Sequence, residues 1–274
     1  MAIIGFGGYP SVPPVIATRL LRRRPTVILH EQNAVLGRAN RLLARFADHI
    51  ALGMRETTRL PRRPPHSITG NPVRPEIAAL AGQPYTPPEP DGAIRLLVMG
   101  GSQGARVFGD ALPAAIRLLP ESLRARLRVT QQVRAEDLDR VRVAYAGIGV
   151  EAELSPFFED VAARIAASHF VVARAGASTV AELAVAGRPA LLVPFPFAID
   201  HHQTYNAMSV DAFLLEQGEF EHRPQVLAEA LAQRFTCPDL LAVQAHAMAE
   251  HGSPDAATRL ADLVEHAVSQ EIMA

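Results

Sequence analysis

Short apolar runs alternate with segments of helical periodicity through the second half of the chain, and this alternation restricts the possible folds most strongly. The predicted strands lie near residues 94–99, 127–131, 150–153, 169–173 and 190–193. The predicted helices between them lie near residues 104–119, 135–146, 158–167 and 179–186. Strands that are apolar throughout are buried on both faces, so the alternation predicts a parallel sheet covered by helices on both sides.

The same pattern starts at the first residue. The opening sequence MAIIGFGGYPSVPPVIATRLL predicts a buried strand, a glycine-rich turn and an amphipathic helix. Strands follow at 26–29 and near 49–52, with a helix around 37–46 between them, and a further strand ends near ITGNPVRPEI. A doubly wound domain uses about five or six strands, so the three or four found here predict an incomplete domain of that type.

The boundary between the two halves is a proline-rich, polar segment, GQPYTPPEPDG, at residues 82–92. We therefore predict a first domain at residues 1–81, a linker at 82–93 and a second domain at 94–274, whose last 70 residues are mostly helical. The expected fold class is α/β, with two Rossmann-like doubly wound parallel-sheet domains of which the N-terminal one is incomplete.

Charge and composition exclude several classes of protein. A net charge of −1 argues against a general nucleic-acid binder, which needs a basic excess to meet phosphates. The single cysteine, Cys237, excludes an internal disulfide framework and a cysteine-rich zinc site. No apolar stretch approaches the roughly 20 residues that span a bilayer, so the sequence predicts a soluble or peripheral protein. The basic cluster at residues 22–24 is typical of a solvated helix end, or of a surface that attracts anionic lipid head groups.

Two glycine-rich turns follow predicted strands, at GFGGYPSVP (residues 5–13) and MGGSQGAR (residues 99–106). Glycines allow close backbone approach, and the following helix offers unpaired N–H groups, a combination that suits phosphate. A plain strand-to-helix turn also accounts for either motif alone. The second turn lacks the Lys-Ser/Thr of a P-loop and the full GxGxxG spacing, so neither ATP nor NAD is indicated.

Polar clusters follow other predicted strands, at HEQN (residues 30–33), GNPVR (residues 70–74) and DHHQTYNA (residues 200–207). HEQN suits sugar hydroxyls, and Arg74 suits a phosphate. Ligands of doubly wound sheets bind at the carboxyl ends of strands, so these clusters and the two glycine turns together favour a nucleotide-sugar enzyme.

The sequence RAGASTVAEL, residues 174–183, predicts a tight loop and the start of a helix, with Ser178 or Thr179 as the N-cap. Such a helix start is a site for an anion or a sugar hydroxyl. Glu182 then has two interpretations. It either completes a capping box at its own helix start or accepts hydrogen bonds from a ligand.

Seven motifs occur in order over residues 5–207: GGYPSVPP, HEQN, GNPVR, GGSQGA, RAGASTVAEL, AGRPALLVPFP and DHHQTYNA. In this combination the chain resembles the MurG family of peptidoglycan glycosyltransferases. The resemblance implies a GT-B fold and an inverting transfer of N-acetylglucosamine from UDP-GlcNAc to undecaprenyl-diphosphate-linked muramoyl-pentapeptide, without a cofactor. It further implies a peripheral protein at the cytoplasmic face of the bacterial membrane, acting in cell-wall synthesis, cell shape and cell division.

The resemblance also assigns roles to individual residues. Glu182 would hold the ribose hydroxyls, and Phe158 would meet the uracil edge through its backbone. Ser102 and Arg74 would meet the diphosphate, while Asn33 and Gln203 would contact the sugar. We call the residues assigned to UDP-GlcNAc, the sugar donor, the donor set. Its other members are Ala177, Ser178, Thr179, Val180 and Ala181. The loop assigned to the acceptor diphosphate contains Gly7, Gly8, Tyr9 and Ser11.

One departure from the family concerns catalysis. Family members begin with a further loop of the type Gly-Gly-x-Gly-Gly-His, whose histidine is the proposed catalytic base or acid. This loop is missing from the sequence, so we expect a truncated chain that binds UDP-GlcNAc but transfers little sugar. No catalytic residue is assigned, and His30 is the first candidate within the chain. Two alternatives stay open: a non-catalytic UDP-sugar-binding protein and a UDP-sugar 2-epimerase.

Overall fold

The computed structural model describes residues 1–101 and 105–273, with side chains up to residue 269. The chain forms two α/β units, each built on a parallel sheet, which confirms the predicted fold class.

The first sheet has four parallel strands. They are β1 (Ala2–Gly5), β2 (Thr26–Glu31), β3 (His49–Leu52) and β4 (His66–Ile68), adjacent to one another in that order. The helices of this part are α1 (Val12–Ala17), α2 (Arg38–Leu43) and α3 (Pro75–Ala78). The unbroken apolar run in β2 is buried except at its first residue, as expected for a central parallel strand covered on both faces.

The second sheet has six parallel strands in the order β10-β9-β8-β5-β6-β7. These are β5 (Ile94–Met99), β6 (Leu127–Gln132), β7 (Glu151–Ser155), β8 (Phe170–Ala173), β9 (Ala190–Leu192) and β10 (Phe213–Leu214). All five strands predicted for this half are confirmed. The two-residue β10 was not predicted, because a pair of residues gives no detectable periodicity.

Ten further helices follow the first sheet along the chain in the described residues. They are α4 (Arg106–Arg117), α5 (Glu121–Arg124), α6 (Leu138–Ala146), α7 (Val161–Ala167), α8 (Ala177–Ala186), α9 (His202–Met208), α10 (Gln217–Phe220), α11 (Pro224–Phe235), α12 (Pro238–Glu250) and α13 (Ala256–Met273). Among the described residues, no helix combines the length and the apolar composition that crossing a membrane requires.

Both faces of the second sheet are covered. Leu96 on β5 packs in a cluster with Phe108 of α4. The next residue, Leu97, points to the opposite face and packs with Val180 and Leu183 of α8. This alternation along one strand confirms the prediction of helices on both sides.

The last helix, α13, returns to the first sheet. Its Leu260 packs against Ile28 of β2 and Ala51 of β3. The segment just before α13 packs closely against Gly70. A Cβ added at Gly70 would lie 2.5 Å from the Cβ of Ser253. The C-terminal segment therefore stabilises the N-terminal sheet.

Candidate functional site

The order of the second sheet creates a crevice between β5 and β8. The chain runs from β5 to β6 and β7 on one side, and then returns to β8 on the other side of β5. The connections therefore diverge at the carboxyl ends of β5 and β8, which is where doubly wound sheets bind ligands. Gly100 and Gly101 follow β5, and the loop at 174–176 follows β8, so these two predicted motifs are neighbours in the fold.

A cavity of about 1010 Å³ opens at this crevice. Four residues of the predicted donor set line it: Ala177, Ser178, Thr179 and Gln203. The volume reaches the upper end of the range of about 300–1,000 Å³ for small-molecule sites. Ser102, predicted to meet the diphosphate, lies outside the described residues.

Helix α8 begins earlier than predicted. Its N-cap is Gly176, which has extended backbone angles (φ −66°, ψ 143°), so the prediction of Ser178 or Thr179 as N-cap is wrong. Both residues lie inside the first turn, whose N–H groups have no partner within the helix. The helix therefore presents backbone donors and the positive end of its dipole to the cavity.

Glu182 does not complete a capping box, because the third helical residue is Thr179. Its Oε1 instead accepts a hydrogen bond from Nε of Arg74 at 3.0 Å, and Nη2 of Arg74 lies 3.0 Å from the same oxygen in an ion pair. Burial raises the pKa of Glu182, and the Arg74 guanidinium partly opposes that effect. The structure thus joins two predicted donor residues in one ion pair, whereas their contacts with ribose and diphosphate stay predictions.

Six described residues of the predicted donor set do not line this cavity, namely Arg74, Glu182, Asn33, Val180, Ala181 and Phe158. Val180, on α8, is buried in the hydrophobic core, and Ala181 lines a small space of about 50 Å³. Phe158 precedes α7, with its ring under the Arg164 guanidinium at 4.1 Å. The side chains of Val180 and Phe158 are therefore engaged within the protein, and only their backbones are candidates for ligand contact.

A second cavity, of about 510 Å³, lies beside the first glycine turn. Gly7, Gly8 and Tyr9 of the predicted acceptor loop line it together with Asn33. Gly7 and Gly8 have φ values of 75° and 71°, which favour glycine. Ser11 supports the loop from within, because its Oγ donates to the carbonyl oxygen of Gly7 at 2.7 Å.

Glu31 organises the HEQN loop, a role that the sequence did not reveal. It is 3% exposed, and its Oε1 accepts from the backbone N and the Nδ2 of Asn33 at 3.0 and 3.1 Å. Its Oε2 accepts from the backbone N of Gly37 and from Nδ2 of Asn40 at 2.8 and 2.9 Å. The carboxylate therefore fixes Asn33 at the rim of the second cavity.

Asp200 was also missed, although it opens the DHHQTYNA motif. It pairs with Arg41 and Arg59 at 2.8 Å each, and both arginines belong to the N-terminal half. Their hydrogen bonds lower the pKa of Asp200. Asp200 and His201 have left-handed φ values of 56° and 53°, a costly conformation that these ion pairs help to hold.

His30, the first candidate for proton transfer, lines neither cavity. It is fully buried, its Nε2 lies 3.1 Å from the carbonyl oxygen of Gly70, and its ring packs on Phe6. Burial lowers its pKa, so the ring is neutral at pH 7. These contacts indicate that His30 stabilises β2 within the first unit.

Comparison with known proteins gives a consistent result. Residues 95–260 match the C-terminal domain of glycosyltransferase family 28, and residues 1–52 match its N-terminal domain. The chain is 57% identical over 270 residues to a UDP-N-acetylglucosamine–N-acetylmuramyl-(pentapeptide) pyrophosphoryl-undecaprenol N-acetylglucosamine transferase of Granulibacter bethesdensis, covering 97% of this chain and 70% of the relative. A relative of the same name from Acidiphilium cryptum is 49% identical over 273 residues, covering 99% of this chain and 73% of the relative.

Solved structures agree with these relatives. The crystal structure of MurG from Acinetobacter baumannii superposes with a TM-score of 0.80 at 30% identity, covering 97% of this chain and 74% of that one. A UDP-GlcNAc 2-epimerase from Neisseria meningitidis, bound to UDP-GlcNAc, superposes with a TM-score of 0.63 at 10% identity, covering 95% of this chain and 74% of that one. The second likeness concerns the fold alone.

Proposed function

The chain belongs to the MurG family within glycosyltransferase family 28, and from this premise we propose that it transfers N-acetylglucosamine from UDP-GlcNAc to undecaprenyl-diphosphate-linked muramoyl-pentapeptide. The observation that carries the proposal is the cavity at the switch point of the second sheet. It brings the start of α8, the glycines Gly100 and Gly101 and Gln203 together around a space large enough for a nucleotide sugar.

The chemistry of the cavity suits a diphosphate leaving group. In an inverting transfer, an acceptor hydroxyl attacks the anomeric carbon of the sugar from the face opposite to UDP. The bond between that carbon and the UDP oxygen breaks, and negative charge grows on the diphosphate. The first-turn N–H groups of Ala177, Ser178 and Thr179, with the dipole of α8, are placed to stabilise that charge.

The acceptor belongs at the second cavity in this proposal. Gly7 and Gly8 offer backbone N–H groups for the acceptor diphosphate, in the role that the family resemblance assigns to Gly7, Gly8, Tyr9 and Ser11. Asn33 and Asp200 line the same cavity, and Asp200 lies three residues before Gln203, which lines the first. The donor and acceptor spaces therefore approach each other near the start of α9.

The transfer is tested with the purified chain, UDP-GlcNAc labelled in its sugar, and lipid-linked muramoyl-pentapeptide. Label in the lipid fraction and release of UDP would support the proposal directly. Binding of UDP-GlcNAc with little transfer is the result expected of these residues, which lack the Gly-Gly-x-Gly-Gly-His loop, and the proposal then requires that transfer appears when that loop is added at the N-terminus. Binding without transfer even after that addition would support the non-catalytic alternative, and conversion of the donor to its 2-epimer would support the epimerase alternative. Absence of UDP-GlcNAc binding would contradict all three functions.

An anionic membrane surface is the proposed location of the lipid-linked acceptor. Leu20 is 88% exposed and Leu21 is 54% exposed, beside the exposed Arg22 and Arg23. Arg24 contributes less, since it pairs with Asp48 at 3.0 Å and donates to the carbonyl oxygen of Phe46. Two exposed leucines followed by two exposed arginines suit the head-group region of an anionic bilayer, where the leucines insert and the arginines meet the lipid phosphates.

Replacing both Arg22 and Arg23 by serine is expected to weaken binding to phosphatidylglycerol vesicles by about 30-fold, from about 1 kcal/mol per arginine near an anionic surface. Co-sedimentation at increasing salt measures the effect, and the wild-type affinity should fall as salt rises. The control is Arg62→Ser with Arg63→Ser, which removes the same charge from another exposed arginine pair. Equal losses in both double variants would contradict a localised membrane surface.

A further inference from the structure

Asn206 connects three segments of the candidate site from a completely buried position on α9. Its Oδ1 accepts from the backbone N of Ala34 at 2.8 Å. Its Nδ2 donates to the carbonyl oxygen of Ala175 at 3.0 Å and to Oδ1 of Asn33 at 3.1 Å. One amide therefore joins the HEQN loop, the loop before α8 and the helix that carries Gln203.

The orientation of this amide is fixed by its backbone partners. A backbone N–H only donates and a carbonyl only accepts, so Oδ1 faces Ala34 and Nδ2 faces Ala175. The Nδ2 group of Asn206 also faces Asn33, and because Nδ2 can only donate, the atom of Asn33 that it contacts must be the acceptor Oδ1. The orientation of Asn33 follows from that of Asn206.

Glu31 fixes the same side chain from the opposite side, because its Oε1 accepts from Nδ2 of Asn33 at 3.1 Å. Together the two contacts occupy one hydrogen and one lone pair of the Asn33 amide. The other hydrogen and the other lone pair are left for a ligand hydroxyl. Asn33 lines the second cavity, so these two groups are available at its rim.

The two supports come from different halves of the chain. Glu31 ends β2 of the first sheet, whereas Asn206 is 173 residues beyond Asn33 and packs beside the second sheet. Ala34 itself lies in the core cluster of α8, with Ala175 and Val180. The geometry of Asn33 therefore exists only when the two halves are docked.

We infer that Asn206 is a positioning residue, which orients Asn33 to recognise the sugar of the donor and makes that recognition depend on the docking of the two halves. The inference rests on the proposed function, because the contact between Asn33 and the sugar is part of it. Asn206 itself is fully buried and acts through Asn33.

The test compares the affinities for UDP-GlcNAc and UDP by calorimetry. Asn206→Ala is expected to weaken UDP-GlcNAc binding by about 10-fold while UDP binding changes by less than about two-fold, since only the sugar meets Asn33. Asn206→Asp keeps the volume and the acceptor for Ala34 but turns a second oxygen toward the acceptors of Asn33 and Ala175. It is expected to give the same selective loss.

Gln244→Ala is the matched control. Gln244 is also a buried amide, 5% exposed, and its Nε2 donates to the carbonyl oxygens of Asp211 and Ala190 at 3.0 and 3.3 Å. Its loss should lower the melting temperature without changing the ratio of the two affinities. Parallel losses for UDP and UDP-GlcNAc in the Asn206 variants, or no loss in either, would overturn the inference.

Asn33→Ala separates this inference from the proposed function. If Asn33→Ala lowers the preference for UDP-GlcNAc over UDP, and Asn206→Ala adds nothing further in that background, Asn206 acts through Asn33. If only Asn33→Ala lowers the preference, the positioning role is wrong and the sugar contact stands. If Asn33→Ala leaves the preference unchanged, the assigned sugar contact itself fails.

Discussion

Glu182→Ala is expected to lower the affinity for UDP-GlcNAc by about 1 to 3 kcal/mol, or about 5- to 150-fold, the range for a lost hydrogen-bond partner that carries charge. The Glu182 side chain is 15% exposed, and it lies on α8 one turn after Thr179, which lines the cavity. A carboxylate in this position can accept hydrogen bonds from two neighbouring ribose hydroxyls. Calorimetric titration with UDP-GlcNAc and UDP measures the loss.

The ion pair with Arg74 supplies the control for this variant. Arg74→Ala removes the same pair but leaves the Glu182 carboxylate in place. A purely structural pair would make the two variants equally less stable and leave the affinities unchanged. If Glu182 holds ribose, wild-type protein should prefer UDP to 2′-deoxy-UDP, and Glu182→Ala should lose that preference while Arg74→Ala retains it.

Gly70→Ala is expected to destabilise the protein by about 2 to 4 kcal/mol. Its φ of 83° is unfavourable for alanine by about 1 kcal/mol. The added Cβ would also lie 2.5 Å from the Cβ of Ser253 and 3.0 Å from that of Ala256, and overpacking of this kind costs about 1 to 3 kcal/mol. The midpoint of urea denaturation measures the change.

Gly82→Ala separates the two contributions to that loss. Gly82 has a similar φ of 75°, but an added Cβ there meets nothing within 4 Å. It should therefore cost only the backbone term, about 1 kcal/mol. Equal losses at both positions would mean that the approach of Ser253 to Gly70 does not constrain the docking of α13.

The sequence located most strands and turns because their signals are local. The apolar run at 169–173 and the small residues after it predict β8, a loop and α8, and the structure contains all three in that order. The predicted N-cap of α8 was wrong by two to three residues. Gly176, Ser178 and Thr179 are all residue types that favour the N-cap, and only the path of the preceding loop selects among them.

By itself, the sequence determined the α/β class, the strand-end positions of the ligand motifs and, through those motifs, the family. Parallel strands that are buried on both faces appear in the sequence as continuous apolar runs. The residues that follow each run therefore lie at the carboxyl edge of the sheet, where ligands bind. Only the tertiary structure decided that Glu182 meets Arg74 across 108 residues and that Asn206 meets Asn33 across 173. It also decided that α13 covers the first sheet. Such pairs depend on how two sheets dock, and no local periodicity records the relative placement of segments so distant in the chain.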